Sequence, residues 1–194
     1  MEQLPGDAML VVIDVQRGFD DPTLGARSNP GAEANVARLL AAWRGSGRPI
    51  VHIQHLSREV GSPLRRGQRG AEIKDEARPA ANEPVVTKHV NSAFIGTDLE
   101  DRLRDLGIAT LVLAGLTTDH CVSTTARMAG NLGFRTWVVG DATATFDRIG
   151  PDGRRYPAAE VQAIALASLH GEFATVTDTA EMVRRVEGEP GTDV

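Results

Sequence analysis

The chain has almost nothing with which to cross-link itself. One cysteine, Cys121, occurs in 194 residues. An internal disulfide is therefore excluded, and a thiolate zinc cage lacks its ligands. That thiol is either an inert core residue or a nucleophile. An excess of positive charge is also missing. The 21 Lys plus Arg stand against 26 Asp plus Glu, a formal net charge of -5, which offers no general attraction to phosphate backbones or anionic lipid. Nucleic acid is not expected as a partner. The opening MEQLPGDAML lacks the basic flank and apolar stretch of a secretory signal, and no later apolar run approaches membrane-spanning length. A cytoplasmic protein without a membrane partner is expected. Nucleotide-binding signatures are absent too: DVQRGF stands where G-x-G-x-x-G would follow a first strand, and no G-x-x-x-x-G-K-[ST] occurs.

What is present is the composition of a folded protein, 41% hydrophobic and 24% charged. The length suits one domain, expected over residues 1–187, with a frayed tail over 188–194. Ala8 to Ile13 is an apolar run closed by Asp14, the pattern of a strand buried on both faces of a parallel sheet. Asn29 and Pro30 supply an N-cap and first-turn proline to a helix carrying Val36, Leu39, Leu40 and Trp43. Pro49 to Gln54 predicts a second strand. The polar, basic, Gly- and Pro-rich stretch from Ser57 to about Glu83 predicts a functional loop or lid. Pro84 to Lys88 predicts strand three, and Thr97 with Glu100 a capping box for a helix with Leu99, Leu103 and Leu106 on one face. Ala109 to Ala114 predicts strand four, Thr117 to Asn131 a helix, and Phe134 to Val139 strand five. Pro157 to His170 reads as helical, Phe173 to Val176 as a sixth strand, and Thr177 or Asp178 as the cap of a last helix ending near Val186. This alternation predicts an α/β fold: a three-layer α/β/α Rossmann-like domain whose parallel sheet has about six strands, ordered 3-2-1-4-5-6.

In such sheets ligands bind outside the carboxyl ends of the strands. Those ends are Asp14, Gln54 or His55, Lys88, Gly115 and Asp141. Cys121 falls near the first turn of the helix after strand four, where free N–H groups and the helix dipole favour a thiolate. Lys88, aimed inward, would lower a thiol's pKa, and Asp14 beside a lysine would stay ionised and accept protons. Each alone has a plainer role, as a packed thiol, a lysine reaching solvent and a turn-capping aspartate. A base, a cation and a thiol at three strand ends together ask for chemistry. Among the histidines, His55 is best placed to carry a proton or touch substrate. His120 and His89 directly neighbour Cys121 and Lys88 in sequence, so they point elsewhere, while His52 and His170 read as packed or surface residues. His52 and His55 as a metal pair would face opposite sides of a strand.

IDVQRGF around Asp14, TKHVNSAF around Lys88 and AGLTTDHCVSTTAR around Cys121 resemble the isochorismatase-like cysteine hydrolases. The likeness runs on through GFRTWVVGDATAT. It implies a triad with Asp14 as general base, Lys88 as orienting cation and Cys121 as nucleophile. It also implies an oxyanion hole from the backbone N–H groups of Thr117 and Cys121, and a cis peptide between Leu116 and Thr117. The implied activity is an amidohydrolase cleaving a non-peptide C–N bond of a small amide, carbamoyl compound or cyclic imide or lactam through a thioester. Isochorismate hydrolases lack the nucleophilic cysteine, so Cys121 argues against their vinyl-ether reaction. Nicotinamidases carry an Asp-x-His pair and a further His for a metal where this chain reads HIQHLSREV, so no metal or other cofactor is expected, and nicotinamide is not the expected main substrate. Substrate contacts are expected from Gln16, Phe19, His55, Asn91, Phe94 and His120, although Phe19 and Phe94 would serve equally as core and Gln16 as a loop brace. Arg58, Arg65, Arg66 and Arg69 would favour an acidic substrate or form a solvated face. A homo-oligomer, dimer or tetramer, is implied. Readings from other classes are a non-catalytic binding protein and a thiol redox sensor on the same fold.

Overall fold

Five successive apolar residues form β1 (Met9–Ile13), and all five are buried. That is possible only for a strand with neighbours on both edges and cover on both faces. In this computed structural model, which describes residues 4–188, β1 pairs in parallel with β2 (Ile50–His55) and with β4 (Thr110–Leu116). β3 (Val85–Lys88) extends the sheet beyond β2. β5 (Arg135–Ala144) extends it beyond β4. The short β6 (Arg148–Ile149) and β7 (Arg155–Tyr156) form a separate antiparallel hairpin, which no sequence signal announced. β8 (Thr175–Thr177) then returns to pair with β5. The sheet order is β3-β2-β1-β4-β5-β8, the expected 3-2-1-4-5-6 once the hairpin is set aside. The tail expected over 188–194 lies outside the described residues except for Gly188.

Strand alternation sends the core into two layers. Met9, Val11, Ile13, Leu111 and Leu113 pack with Leu99 and Leu103 of α2 (Leu99–Asp105), Ala126 and Ala129 of α3 (Ser123–Asn131) and Leu169 of α4 (Ala158–Leu169). Leu10, Val12 and Val112 face the other way. They meet Val36, Leu39, Leu40 and Trp43 of α1 (Ala32–Ser46) and Met182 of α5 (Thr179–Glu187). Among the described residues no helix is long and apolar enough to cross a membrane.

Three local expectations need correction. Asn29 does not cap α1, whose N-cap is Gly31. Its side-chain amide instead donates to the carbonyls of Gly140 and Thr143, at 3.0 and 2.8 Å, tying the entry of α1 to β5. The capping box at Thr97 does not form: Thr97 Oγ1 donates to Ala93 O at 2.6 Å, and Asp98 holds the N-cap position. α2 is only two turns long, so Leu106 lies past its buried face and is 64% exposed. The cap of α5 is Asp178, which accepts from Glu181 N–H at 2.8 Å.

The stretch from Ser57 to Glu83 has little regular structure, but its second half is strapped down. Gln16 and Gln54 both donate to Ala71 O at 2.9 Å. Buried Lys74 meets Asp20 and Glu33 at 2.5 and 2.7 Å. The one glycine that decides where the site sits is Gly115, at φ 125°, where a Cβ would stand 2.0 Å from Ile13 O. Only a glycine lets β4 end this close to β1, which brings the segment carrying Cys121 alongside Asp14.

Candidate active site

β1, β3 and the turn after β4 each deliver one group to the same buried point. Asp14 follows β1 directly and is held at φ 50°, a left-handed conformation that Asp tolerates better than most residues. Its N–H donates to Ile53 O at 2.9 Å. Lys88 closes β3, and its Nζ lies 2.6 Å from Asp14 Oδ2, 3.3 Å from Cys121 Sγ, 3.1 Å from His55 Nδ1 and 3.2 Å from Val90 O. Both Asp14 and Lys88 are 0% exposed. Asp14 Oδ1 is buried with no hydrogen-bond partner among the described residues. That leaves one carboxylate oxygen to receive a proton.

The electrostatics reverse part of the sequence expectation. Cys121 is 8% exposed. Burial, seconded by the charge of Asp14, pushes its thiol up to about 12, against the smaller downward pull of Lys88. The thiol rests protonated, not as the thiolate that the helix terminus and Lys88 were expected to favour, because desolvation together with Asp14 outweighs the pull of Lys88. Burial likewise raises Asp14 despite the opposing effect of Lys88, making it the more avid proton acceptor. His55 is lowered by burial and then by Lys88. This assigns its neutral form, with Nδ1 accepting from the ammonium.

The expected cis peptide between Leu116 and Thr117 is present. It leads into one turn of π-helix, Thr118–Val122, in which Val122 N–H donates to Thr117 O at 3.1 Å. Such turns recur at functional sites. Cys121 sits in it, two residues before the start of α3. Thr118 Oγ1 donates to the buried Gln162 at 2.6 Å, and Gln162 in turn holds Gly140 O and Thr143 Oγ1. This fixes the turn against β5. The N–H of Thr117 meets no acceptor among the described residues.

An open cavity of about 780 Å³ abuts this point, lined by His55, Arg58, His89, Asn91, Ser92 and Thr124 among others. Its size lies within the range of small-molecule sites. Asn91 links it to the nucleophile, with Oδ1 3.9 Å from Cys121 Sγ. Of the expected substrate contacts, His55 and Asn91 line the cavity. The other four do not. Gln16 is fully buried and spends its amide on the backbone of His55 and Ala71. Phe19 stacks on Phe146 and packs near Leu116. Phe94 stacks on Phe134 in the core. His120 stays exposed beside Asp119. Sequence reasoning missed His89, whose Nδ1 bonds Leu56 O at 2.7 Å. Strand alternation sends it away from Lys88, but β3 has ended there.

Ligand atoms of Asp14, His55 and Cys121 lie within 4.8 Å of one another, a donor set that could hold a cation. Lys88 Nζ already stands among them, so the ammonium supplies the positive charge and repels a second. His52 points away from this group, binding Glu83 at 2.8 Å.

A doubly wound parallel sheet with a buried carboxylate and ammonium at its strand ends and a thiol in the turn after β4 defines a hydrolase-type site built on cysteine. The isochorismatase domain profile matches residues 8–181, and the chain belongs to the isochorismatase family of hydrolases. It is 45% identical over 174 residues to the isochorismatase family protein YrdC of Bacillus subtilis, covering 90% of this chain and 93% of that one. Maleamate amidohydrolase of Pseudomonas putida is 28% identical over 92% of this chain and 88% of its own. A solved isochorismatase-family structure from Chromobacterium violaceum superposes with TM-score 0.93 at 43% identity, over 97% of this chain and 99% of that one. N-carbamoylsarcosine amidase of Thermoplasma acidophilum gives 0.72 at 30% identity, over 89% and 96%.

Proposed function

We propose that the chain hydrolyses a non-peptide C–N bond of a small amide, carbamoyl compound or cyclic imide or lactam, through a thioester on Cys121. The observation that carries this is the placing of one buried ammonium 2.6 Å from Asp14 and 3.3 Å from Cys121, beside an open cavity. The relatives named as amidase and amidohydrolase support the bond class.

With the thiol protonated at rest, the reaction begins by proton transfer. Asp14 takes the thiol proton as sulfur attacks the substrate carbonyl. The oxyanion meets the backbone N–H groups of Thr117 and Cys121 at the start of the helical turn. Asp14 then gives its proton to the leaving nitrogen, the C–N bond breaks and the thioester remains. Water attacks the thioester while Asp14 takes its proton, and Cys121 recovers that proton as the acid departs. Lys88 holds Asp14 in place throughout. A redox-sensing role is disfavoured by a thiol this buried and this basic. The reading includes a small-molecule substrate and a cytoplasmic homo-oligomer, the latter checked by light scattering.

The test is hydrolysis of a panel of amides, carbamoyl compounds, imides and lactams by wild type and Cys121→Ala, with intact-mass detection. Wild-type turnover, its loss in the variant and an acyl mass on Cys121 are expected. Equal activity in both proteins removes Cys121 from the reaction.

A further inference from the structure

Four arginines in the loop after β2, Arg58, Arg65, Arg66 and Arg69, are exposed. Their side chains have no ion pair or hydrogen bond among the described residues. Several arginines elsewhere hold a carboxylate, among them Arg17, Arg27, Arg44 and Arg148, and Arg38, Arg48 and Arg127 hold polar oxygens. In a chain where 26 acidic residues outnumber 21 basic ones, unmatched guanidinium groups gathered on one loop stand out. Arg58 lines the cavity beside the triad. Arg65 is bridged through its backbone to Ser57, which lines the same cavity. Lys88 cannot serve an incoming anion, because Asp14 already neutralises it at 2.6 Å in a fully buried pair. Around Arg58 the wall offers hydroxyl and amide groups from Ser57, Ser92, Asn91 and Thr124, and one opposing carboxylate, Glu59.

We propose that this cavity takes amides bearing a second, anionic group, a carboxylate, and that Arg58 recognises it. A guanidinium matches a carboxylate with two parallel N–H donors. Unpaired positive charge at the mouth also raises the encounter rate of anions. The proposal rests on the hydrolytic reading for its chemistry, while its test does not depend on turnover.

Cys121 is the chain's one cysteine and lies 3.9 Å from the cavity-lining Asn91, so alkylation at this single position reports on reagents that enter beside Arg58. Iodoacetate and iodoacetamide differ chiefly in charge, and the ratio of their alkylation rate constants at Cys121 isolates anion recognition. Arg58→Ala should lower that ratio by at least about fivefold, Arg58→Lys by less, and Glu59→Gln should raise it. Added salt should bring the wild-type ratio down toward that of Arg58→Ala. In hydrolysis, the preference for succinamate over succinamide in kcat/KM should fall in Arg58→Ala, mainly through KM. A ratio unchanged within twofold between wild type and Arg58→Ala overturns the proposal. If the ratio falls as stated while no amide is turned over by wild type, the anion site stands and the hydrolytic reading fails.

Discussion

Taking an ammonium and a carboxylate out of water costs several kcal/mol each, and Lys88 and Asp14 offset this only through their contact and the further partners of Lys88. Lys88→Met should therefore abolish turnover and also destabilise the fold by about 3 to 5 kcal/mol, because it leaves a buried carboxylate alone. The double variant Asp14→Asn, Lys88→Met should recover much of that stability without recovering activity. Urea unfolding of the three proteins decides this, and a Lys88→Met protein as stable as wild type would contradict it. Cys121 gives a second check. With its thiol pushed up to about 12, alkylation by iodoacetamide should keep accelerating beyond pH 10. A plateau near the ordinary thiol value of about 8.5 would show that burial does not dominate. That Asp14, Lys88 and Cys121 meet at one point was legible because each closes or follows an apolar run at a strand end. The sign of the thiol shift was not, since it depends on how completely the fold excludes water. Nor could the sequence say that the amide of Gln16 turns toward backbone, while His55, three residues from buried His52, reaches Lys88.

At the scale of elements, the approach of β4 to β1 hangs on Gly115. A Cβ there meets Ile13 O at 2.0 Å, closer than any relaxation of two paired strands removes. Gly115→Ala should fail to accumulate as folded protein, or melt many degrees lower with no turnover, whereas Gly133→Ala, with nothing within 4 Å, should cost only the strain of its positive φ. Thermal melts of both compare the two kinds of cost. The central strands of the sheet were readable from continuous apolar runs, which a parallel sheet covered on both faces demands, and the edge strands from short β-branched ones. The β6–β7 hairpin escaped because two residues per strand carry no periodicity. The start of α1 was misplaced because Asn29 had two roles open to it and tertiary contact with β5 chose the non-capping one.

Across the whole molecule, buried acids tied to cations set the response to acid. Burial alone would raise Glu33, yet Arg27 and Lys74 outweigh it and hold the carboxyl at about 2. Arg44, the Ala80 N–H and His52 hold Glu83 at about 2 as well, against a smaller upward effect of burial. Both values are depressed below the unfolded range, so their contribution is present above about pH 4.5 and is lost as pH falls toward about 2. Glu33→Gln should cost roughly 3 kcal/mol at pH 7, and the gap to wild type should narrow by pH 3 in denaturant titrations. A gap independent of pH would mean that the ion cluster contributes nothing. Not all parts of the molecule resist equally. β3 has a strand neighbour on one side only and is four residues long, yet it carries Lys88, while Asp14 and Cys121 are anchored at the centre of the sheet. The site is thus assembled across a boundary between strands paired on both sides and a short edge strand. Peeling of that margin removes the ammonium while the interior persists. Under rising denaturant the protein should fall silent before it loses its circular dichroism, with the amides of β3 exchanging their hydrogens ahead of those of β1 and β4.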